Sequence, residues 1–169
     1  MELKEYRRKR SFRKTPEPEG SQRVESNQYF VVKKHQASHL HYDFRLQVAG
    51  VLKSWAIPKG PSIDPSRRRL AIQVEDHPVE YKNFEGVIPS GEYGGGTVTI
   101  WDCGSYEPLK EKDPQKSIEE GAMSFLLHGK KLKGGFALIK TEYRKNRNAW
   151  LLIKENDIFA RKGYEIGKE

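Results

Sequence analysis

Cysteine is almost missing: Cys103 is the single one in 169 residues. That excludes an internal disulfide and a thiolate-rich metal site. No apolar run approaches the roughly 20 residues that a membrane-spanning helix needs. The stretch from Met1 to Lys14 is charged throughout and has no apolar core of a secretory signal. The glycine-rich stretch 86–96 lacks the Lys-Ser or Lys-Thr ending of a P-loop. No Lys-x-Asp-Gly occurs, so the lysine nucleophile of ATP-dependent ligases is absent. What is present is 31 Lys and Arg against 23 Asp and Glu, a net charge of +8, with 36% hydrophobic and 11% aromatic residues. This suits one ordered, soluble, intracellular domain and no membrane partner. Its basic balance favours a polyanion, most often nucleic acid.

Residues 1–28 stand apart. Arg7, Arg8, Lys9, Arg10, Arg13 and Lys14 form a basic run, and Thr15-Pro16-Glu17-Pro18-Glu19-Gly20 cannot enter a helix interior or a central strand. A basic N-terminal arm is expected, partly ordered, with Met1 to Arg8 flexible. From Tyr29 onward, short runs rich in Val, Ile and aromatics alternate with Gly, Pro, Asn and Asp. The candidate strands are Tyr29–Lys34, His39–Val48, Leu52–Ile57, Arg69–Glu75, Thr97–Asp102, Met123–Leu127, Phe136–Thr141 and Ala149–Lys154. One helix is expected over Pro114–Gly121, capped by Asp113. The pattern predicts an all-β sandwich or barrel across 29–157, followed by an irregular tail, 158–169.

The informative stretch runs from Lys34 to Leu46. In a strand, alternate residues share a face. Leu40, Tyr42, Phe44 and Leu46 therefore lie on one side, for the core, and His39, His41, Asp43 and Arg45 on the other. His41 and Asp43 stand about 7 Å apart at the backbone, within reach of one metal ion. His35 shares their parity, but six extended residues would place it about 20 Å from His41. It joins them only if the chain reverses at Gln36-Ala37-Ser38. Histidines on a β face are most often ordinary surface residues. Here four of the five histidines fall between His35 and His77, and three within seven residues, which favours a site.

A second strand carries the same kind of pattern. Arg69, Gln73, Glu75 and His77 share one parity, and Leu70, Ile72 and Val74, expected to pack, share the other; Tyr81 follows four residues on. An exposed ion-pair ladder has the same spelling. Two imidazoles and a carboxylate without thiolate suit Mn²⁺, Fe²⁺ or Zn²⁺. An Arg on the same strand adds a two-pronged clamp for phosphate oxygens. Metal, Arg and a His of adjustable pKa are the ingredients of phosphoester hydrolysis. Cys103 and His128 show no feature of a nucleophile or ligand.

His35-x5-His41-x-Asp43-x-Arg45, Trp55-Ala56-Ile57-Pro58-Lys59-Gly60-Pro61, Val74-Glu75-Asp76-His77-Pro78 and Gly86-Val87-Ile88-Pro89-x-Gly91-x-Tyr93-Gly94 resemble the 3′-phosphoesterase module of bacterial DNA ligase D. The resemblance runs from about Tyr6 to Asp157, with the motifs in family order, and includes neither the polymerase nor the ligase module. It implies a compact β-barrel of about eight strands with one short helix and a site in a surface groove. It implies Mn²⁺-dependent trimming of DNA or RNA 3′ ends: removal of a terminal ribonucleoside, then of the 3′-phosphate, leaving a 3′-OH for repair ligation. By that resemblance His35, His41 and Asp43 match the metal ligands, and Arg45, His77 and Tyr81 the catalytic residues around the scissile phosphate. Arg10, Glu17, Lys59, Arg69 and Glu75 match a second, substrate-binding tier. It further implies a monomer in the prokaryotic cytoplasm, at the nucleoid, working with a separate ATP-dependent DNA ligase and an end-binding protein in non-homologous end joining. One departure stands out: Ser11 occupies a position where the family usually has Asp, which predicts weaker ribonucleoside removal and an untouched metal site.

Two other readings compete. His41-x-Asp43 with a distant His is also the spelling of a non-haem Fe(II) oxygenase; the chain is short for that class, and its arginines suit phosphates better. A non-catalytic nucleic-acid-binding module fits the charge, but does not need His35, His41 and Asp43 together.

Overall fold

The structure is a computed structural model and describes residues 3–20, 27–110, 112–142, 145–146 and 148–168. Among them are nine strands, β1 (Tyr29–Gln36), β2 (Leu40–Val48), β3 (Val51–Ile57), β4 (Arg69–Pro78), β5 (Gly86–Ile88), β6 (Gly96–Pro108), β7 (Ala122–His128), β8 (Lys133–Lys140) and β9 (Ala149–Lys154). Two helices accompany them, α1 (Lys4–Arg8) and α2 (Pro114–Glu120), with a 3-10 turn at Val79–Asn83. The strands run in the order β1-β2-β3-β4-β9-β8-β7-β6, and β6 pairs back onto β1. Eight antiparallel strands thus close a barrel, and β5 lies outside it against the start of β6. Closure leaves no free edge among the eight. The helix forms where its signals stand: Asp113 accepts from the Gln115 amide at 3.3 Å, and Gly121 ends it at φ +85°.

The barrel interior is full. Phe44, Phe125 and Phe136 stack along it at 6.0 and 6.3 Å, and Trp55 meets Trp150 edge-on at 5.7 Å. Phe30, Val32, Leu46, Ile57, Leu127, Leu138 and Leu152 complete the packing. Rings thus occupy the centre of the barrel among the described residues, and His41, Asp43 and Arg45 lie on the outward side of β2. Tyr42, Phe44 and Leu46 face inward as their parity predicts, whereas Leu40, where β2 begins, is exposed.

Strand β4 departs from its expected pattern. Ala71, opposite Trp150, is the residue that joins the core, and Gln73 shares its parity and accepts from the Trp150 indole at 3.2 Å. Large neighbouring rings leave room for a small side chain there, so Leu70, Ile72 and Val74 lie half-buried on the outer side instead. A bulge between Val74 and His77, against Leu52 and Ser54 of β3, then changes the parity. It returns His77 to the outer face.

The N-terminal segment is not a free arm over its described residues. Tyr6 is fully buried, and with Leu52 and Tyr81 it builds a small second core bordered by Phe12 and Phe84. Residues 1–2 and 21–26 of the expected arm lie outside the described residues. Among its described residues the tail has no regular element, but it is tied down: Arg161 donates its amide to Ile63 and Gly163 donates its own to Asp64. No helix among the described residues is long and apolar enough to cross a membrane.

Asp102 ties the β7–β8 hairpin to β6. Its buried carboxylate accepts from the amides of Cys103, Lys130, Lys131 and Leu132 at 2.8 to 3.1 Å. Replacing it with Ala is expected to cost about 3 kcal/mol or more, because charge-assisted bonds to buried amides are lost together. Thermal unfolding should show a midpoint lowered by about 6–12 °C, with Asp102→Asn intermediate; a midpoint within about 2 °C of the parent contradicts this role.

Candidate functional site

The chain reverses after Gln36 as the site requires, and β1 and β2 then pair with His35 directly opposite His41 and Lys33 opposite Asp43. One ligand atom from each of His35, His41 and Asp43 lies within 4.8 Å of the others. His35 Nδ1 is 3.3 Å from Asp43 Oδ2, and His41 Nε2 is 3.4 Å from Asp43 Oδ1. Backbone carbonyls orient both rings. His35 Nε2 is 2.7 Å from the Gly94 carbonyl, and His41 Nδ1 is 3.2 Å from the His39 carbonyl. A carbonyl only accepts, so those nitrogens carry hydrogen, and His35 Nδ1 and His41 Nε2 are left facing the carboxylate. A proton or a divalent cation can fill each place, and the two compete. Burial by itself would raise the Asp43 carboxyl; hydrogen bonds with His35 and His41 and the charge of Arg45 outweigh it and hold it far below the usual range. The same contact with Asp43 raises His41. Two nitrogens and a carboxylate so arranged fit a transition-metal dication. His39 is exposed in the turn and offers its carbonyl to His41.

Arg45, next on the same face, is 3% exposed. Its Nη2 lies 3.6 Å from Asp43, while Nε and Nη1 are buried with no hydrogen-bond partner. Two unmet guanidinium donors in a groove wall mark a place for an anion. Tyr81 and His77 stand beside it, their rings 4.7 Å apart, with Arg45 4.9 Å above the Tyr81 ring. Tyr81 donates its hydroxyl to Glu17 at 2.9 Å, and its pKa is raised well above the ordinary value, mainly by burial. His77 Nδ1 is 3.0 Å from the Glu75 carbonyl, and its Nε2 is 3.4 Å from Arg10 Nη2. Burial and the charges of Arg45 and Arg10 hold it well below the ordinary pKa, hence neutral near pH 7.

The N-terminal segment supplies the wall. Arg10 bonds Glu17 at 2.9 Å and Glu75 at 3.2 Å, and its guanidinium lies 4.0 Å above the Tyr6 ring. The groove holds about 240 Å³ and is lined by nine expected residues: Arg10, Glu17, His35, His41, Asp43, Arg45, Glu75, His77 and Tyr81. Lys59 and Arg69 are elsewhere, in a pocket of about 370 Å³ that also exposes Arg68. Ser11 is exposed and is not part of the groove lining.

Sequence reasoning missed Lys33 and Tyr93. Lys33 is fully buried on the same face as His35, with its ammonium on the Tyr81 carbonyl and 4.2 Å above that ring. Burial, then Arg45, pushes its pKa down to about 6. Parity with His35 was the signal for it. Tyr93 stands at the groove rim; its place in the Gly91-x-Tyr93-Gly94 motif was the signal for it, but the motif gave it no role.

Residues 33–140 match the family described as the DNA Ligase D 3′-phosphoesterase domain. The chain is 52% identical over 162 residues to the multifunctional non-homologous end joining protein LigD of Pseudomonas aeruginosa, covering 94% of this chain and 19% of that protein. It is 46% identical over 151 residues to the LigD DNA repair protein of Mycobacterium tuberculosis, covering 88% of this chain and 19% of that one. Against LigD of Mycolicibacterium smegmatis the identity is 43% over 161 residues, 92% of this chain and 21% of the other. The chain therefore spans about a fifth of the length of the curated relatives it matches. The matched segment takes in the end of β1 and all of β2 and β4, with His35, His41, Asp43, Arg45 and His77, and the chain belongs to the DNA ligase D 3′-phosphoesterase family.

Proposed function

We propose that the chain is a metal-dependent phosphoesterase acting on DNA or RNA-tailed DNA 3′ ends, removing a terminal ribonucleoside and then the 3′-phosphate. The observation that carries this reading is the buried Arg45 guanidinium, with two unmet donors next to the His35–His41–Asp43 cluster. His35, His41 and Asp43 are the proposed ligands of Mn²⁺ or a similar dication. Bound there, such an ion supplies charge neutralisation at a phosphoryl oxygen and a water of lowered pKa. Arg45 turns Nε and Nη1 to the phosphate oxygens and balances charge that develops on them. Tyr81, kept protonated and oriented by Glu17, borders the same space.

His77 rests neutral between two guanidinium groups. A phosphate docked on Arg45 brings the negative charge that raises the proton affinity of this imidazole. His77 then passes a proton to the leaving oxygen: the 5′-oxygen of the terminal nucleoside in one step, the 3′-oxygen of the strand in the other. Lys59 and Arg69, outside the groove, suit the strand's own phosphates. A ligase that needs the resulting 3′-OH, and an end-binding protein, are the proposed partners in end joining. The oligonucleotide test is direct: labelled strands ending in 3′-phosphate or a 3′-ribonucleoside, incubated with Mn²⁺, should yield 3′-OH ends.

Asp43→Ala should lose bound metal and both cleavage steps together. Arg45→Ala should keep its metal and lose about 10²-fold in rate; metal loss in Arg45→Ala, read by elemental content, would reverse these assignments.

His77→Ala should slow substrates with poor leaving groups most and an activated phenolate ester least. Arg10→Gln removes a cation beside the imidazole, so the His77 pKa should rise toward its ordinary value of about 6.5. Titration of the His77 ring resonances reads that shift, and a downward movement contradicts the sign.

Binding of a 3′-phosphate oligonucleotide should weaken steeply with salt, by about 0.7 to 0.9 log units per log unit for each phosphate neutralised. An affinity indifferent to salt speaks against a nucleic-acid substrate.

A further inference from the structure

The deep end and the mouth of the groove differ. Asp43, Arg45 and His77 at the bottom are 3–6% exposed, whereas Tyr93 at the rim is 44% exposed. Tyr93 belongs to the tight loop between β5 and β6, closed by Glu92 N to Pro89 O and Gly95 N to Glu92 O. Its neighbour, Gly94, gives the carbonyl that orients His35. The loop therefore places Tyr93 next in the chain to the carbonyl that orients His35.

The ring is also held from the other side. Glu75 splays its carboxylate, with one oxygen 3.0 Å from Lys9 Nζ and the other 3.2 Å from Arg10 Nη1. The two cations so fixed lie 4.7 and 5.2 Å from the Tyr93 ring centroid. An aromatic ring that is exposed yet ordered by neighbours has little freedom left to lose on binding. In strand order, β5 and β6 lie to one side of β1 and β2, and β3 and β4 to the other. The Tyr93 loop thus springs from the flank opposite the Lys59–Arg69 pocket. If a strand's body follows that basic pocket and its scissile phosphate sits on Arg45, the exposed ring of Tyr93 on the opposite flank is open to its terminal nucleoside.

We propose that Tyr93 is the stacking platform for the terminal nucleobase, and so sets the preference for nucleoside-bearing ends over bare phosphate ends. The proposal rests on the phosphoesterase reading above. Stacking of one base on an aromatic side chain is worth about 5- to 150-fold in affinity and tolerates any base. The recognised chemistry is accordingly a 3′-terminal nucleoside of unspecified sequence. A 3′-phosphate end has no base on that side and gains nothing from the ring.

The experiment compares the parent with Tyr93→Ala, Tyr93→Phe and Tyr93→Trp on three strands, ending in a 3′-ribonucleoside, a 3′-abasic ribose or a 3′-phosphate. Tyr93→Ala should raise KM for the ribonucleoside end about tenfold or more. It should lower the ratio of kcat/KM between ribonucleoside and phosphate ends by the same factor. Phe and Trp should restore that ratio, since they keep the ring, and the parent should already treat the abasic end as the Ala variant treats the complete one. Equal losses of Tyr93→Ala on all three ends, or Phe as defective as Ala, overturn the stacking role. Failure of the parent to process the 3′-phosphate end with Mn²⁺ overturns the phosphoesterase reading itself, and so is told apart from a failure at Tyr93.

Discussion

The antiparallel register of β1 on β2 is the constraint on which the groove depends. It sets His35 opposite His41 and Lys33 opposite Asp43, and β3 extends the row by setting Ala56 opposite Asp43 and Ser54 opposite Arg45. A slip of one residue would turn these side chains into the barrel and the aromatic rings out of it. The packed interior forbids that slip, because Phe30, Phe44 and Trp55 have nowhere else to go. The tight hairpin Val48–Val51, with Ala49 and Gly50 both at positive φ, reinforces the register of β2 on β3. Core packing on one side of the sheet thereby positions polar chemistry on the other.

That polar face is covered, and its electrostatics follow from the cover. Glu17, Asp43 and Arg45 are all buried, so each charge depends on a partner, and the equally buried His77 is held neutral. Carboxylates alternate with guanidinium groups: Asp43 beside Arg45, Arg10 between Glu17 and Glu75. The pattern stops at Arg45, whose Nε and Nη1 are left unmet at a typical cost of about 1–3 kcal/mol per buried group. A folded chain optimised only for stability would not leave them so. In the proposed function, these are the donors that a docked phosphate would meet.

The N-terminal segment turns an open barrel face into a groove. Tyr6 anchors it by full burial and by donating to the Pro18 carbonyl, and Arg10 and Glu17 then reach back over β4 and the 3-10 turn. Residues far apart in the chain, such as Arg10 and Glu75 or Glu17 and Tyr81, become bonded neighbours. The wall and the His35–His41–Asp43 cluster form one network, since Glu75 meets Lys9 and Arg10, and these meet Tyr93 beside the carbonyl that holds His35.

Local sequence by itself determined the eight barrel strands, the single capped helix at Asp113 and the inward parity of Tyr42, Phe44 and Leu46. Strand period and cap chemistry act over a few residues and leave a readable trace. It also placed His41, Asp43 and Arg45 on one face, because that needs only alternation. His35 was tied to them by a condition on the turn, which the structure meets. Tertiary packing decided the rest. Strand β4 reversed its expected faces because Trp55 and Trp150 leave space for Ala71 and none for Leu70 or Ile72, and a bulge that no residue type announces brought His77 back. Short β5, inside a glycine-rich loop, and α1, in a basic run, exist because β6 and a buried Tyr6 hold them. Lys59 and Arg69 share a pocket apart from the groove although the same resemblance named them with Arg10 and Glu75. Each of these outcomes depends on contacts between residues distant in the chain, and such contacts carry no local signature.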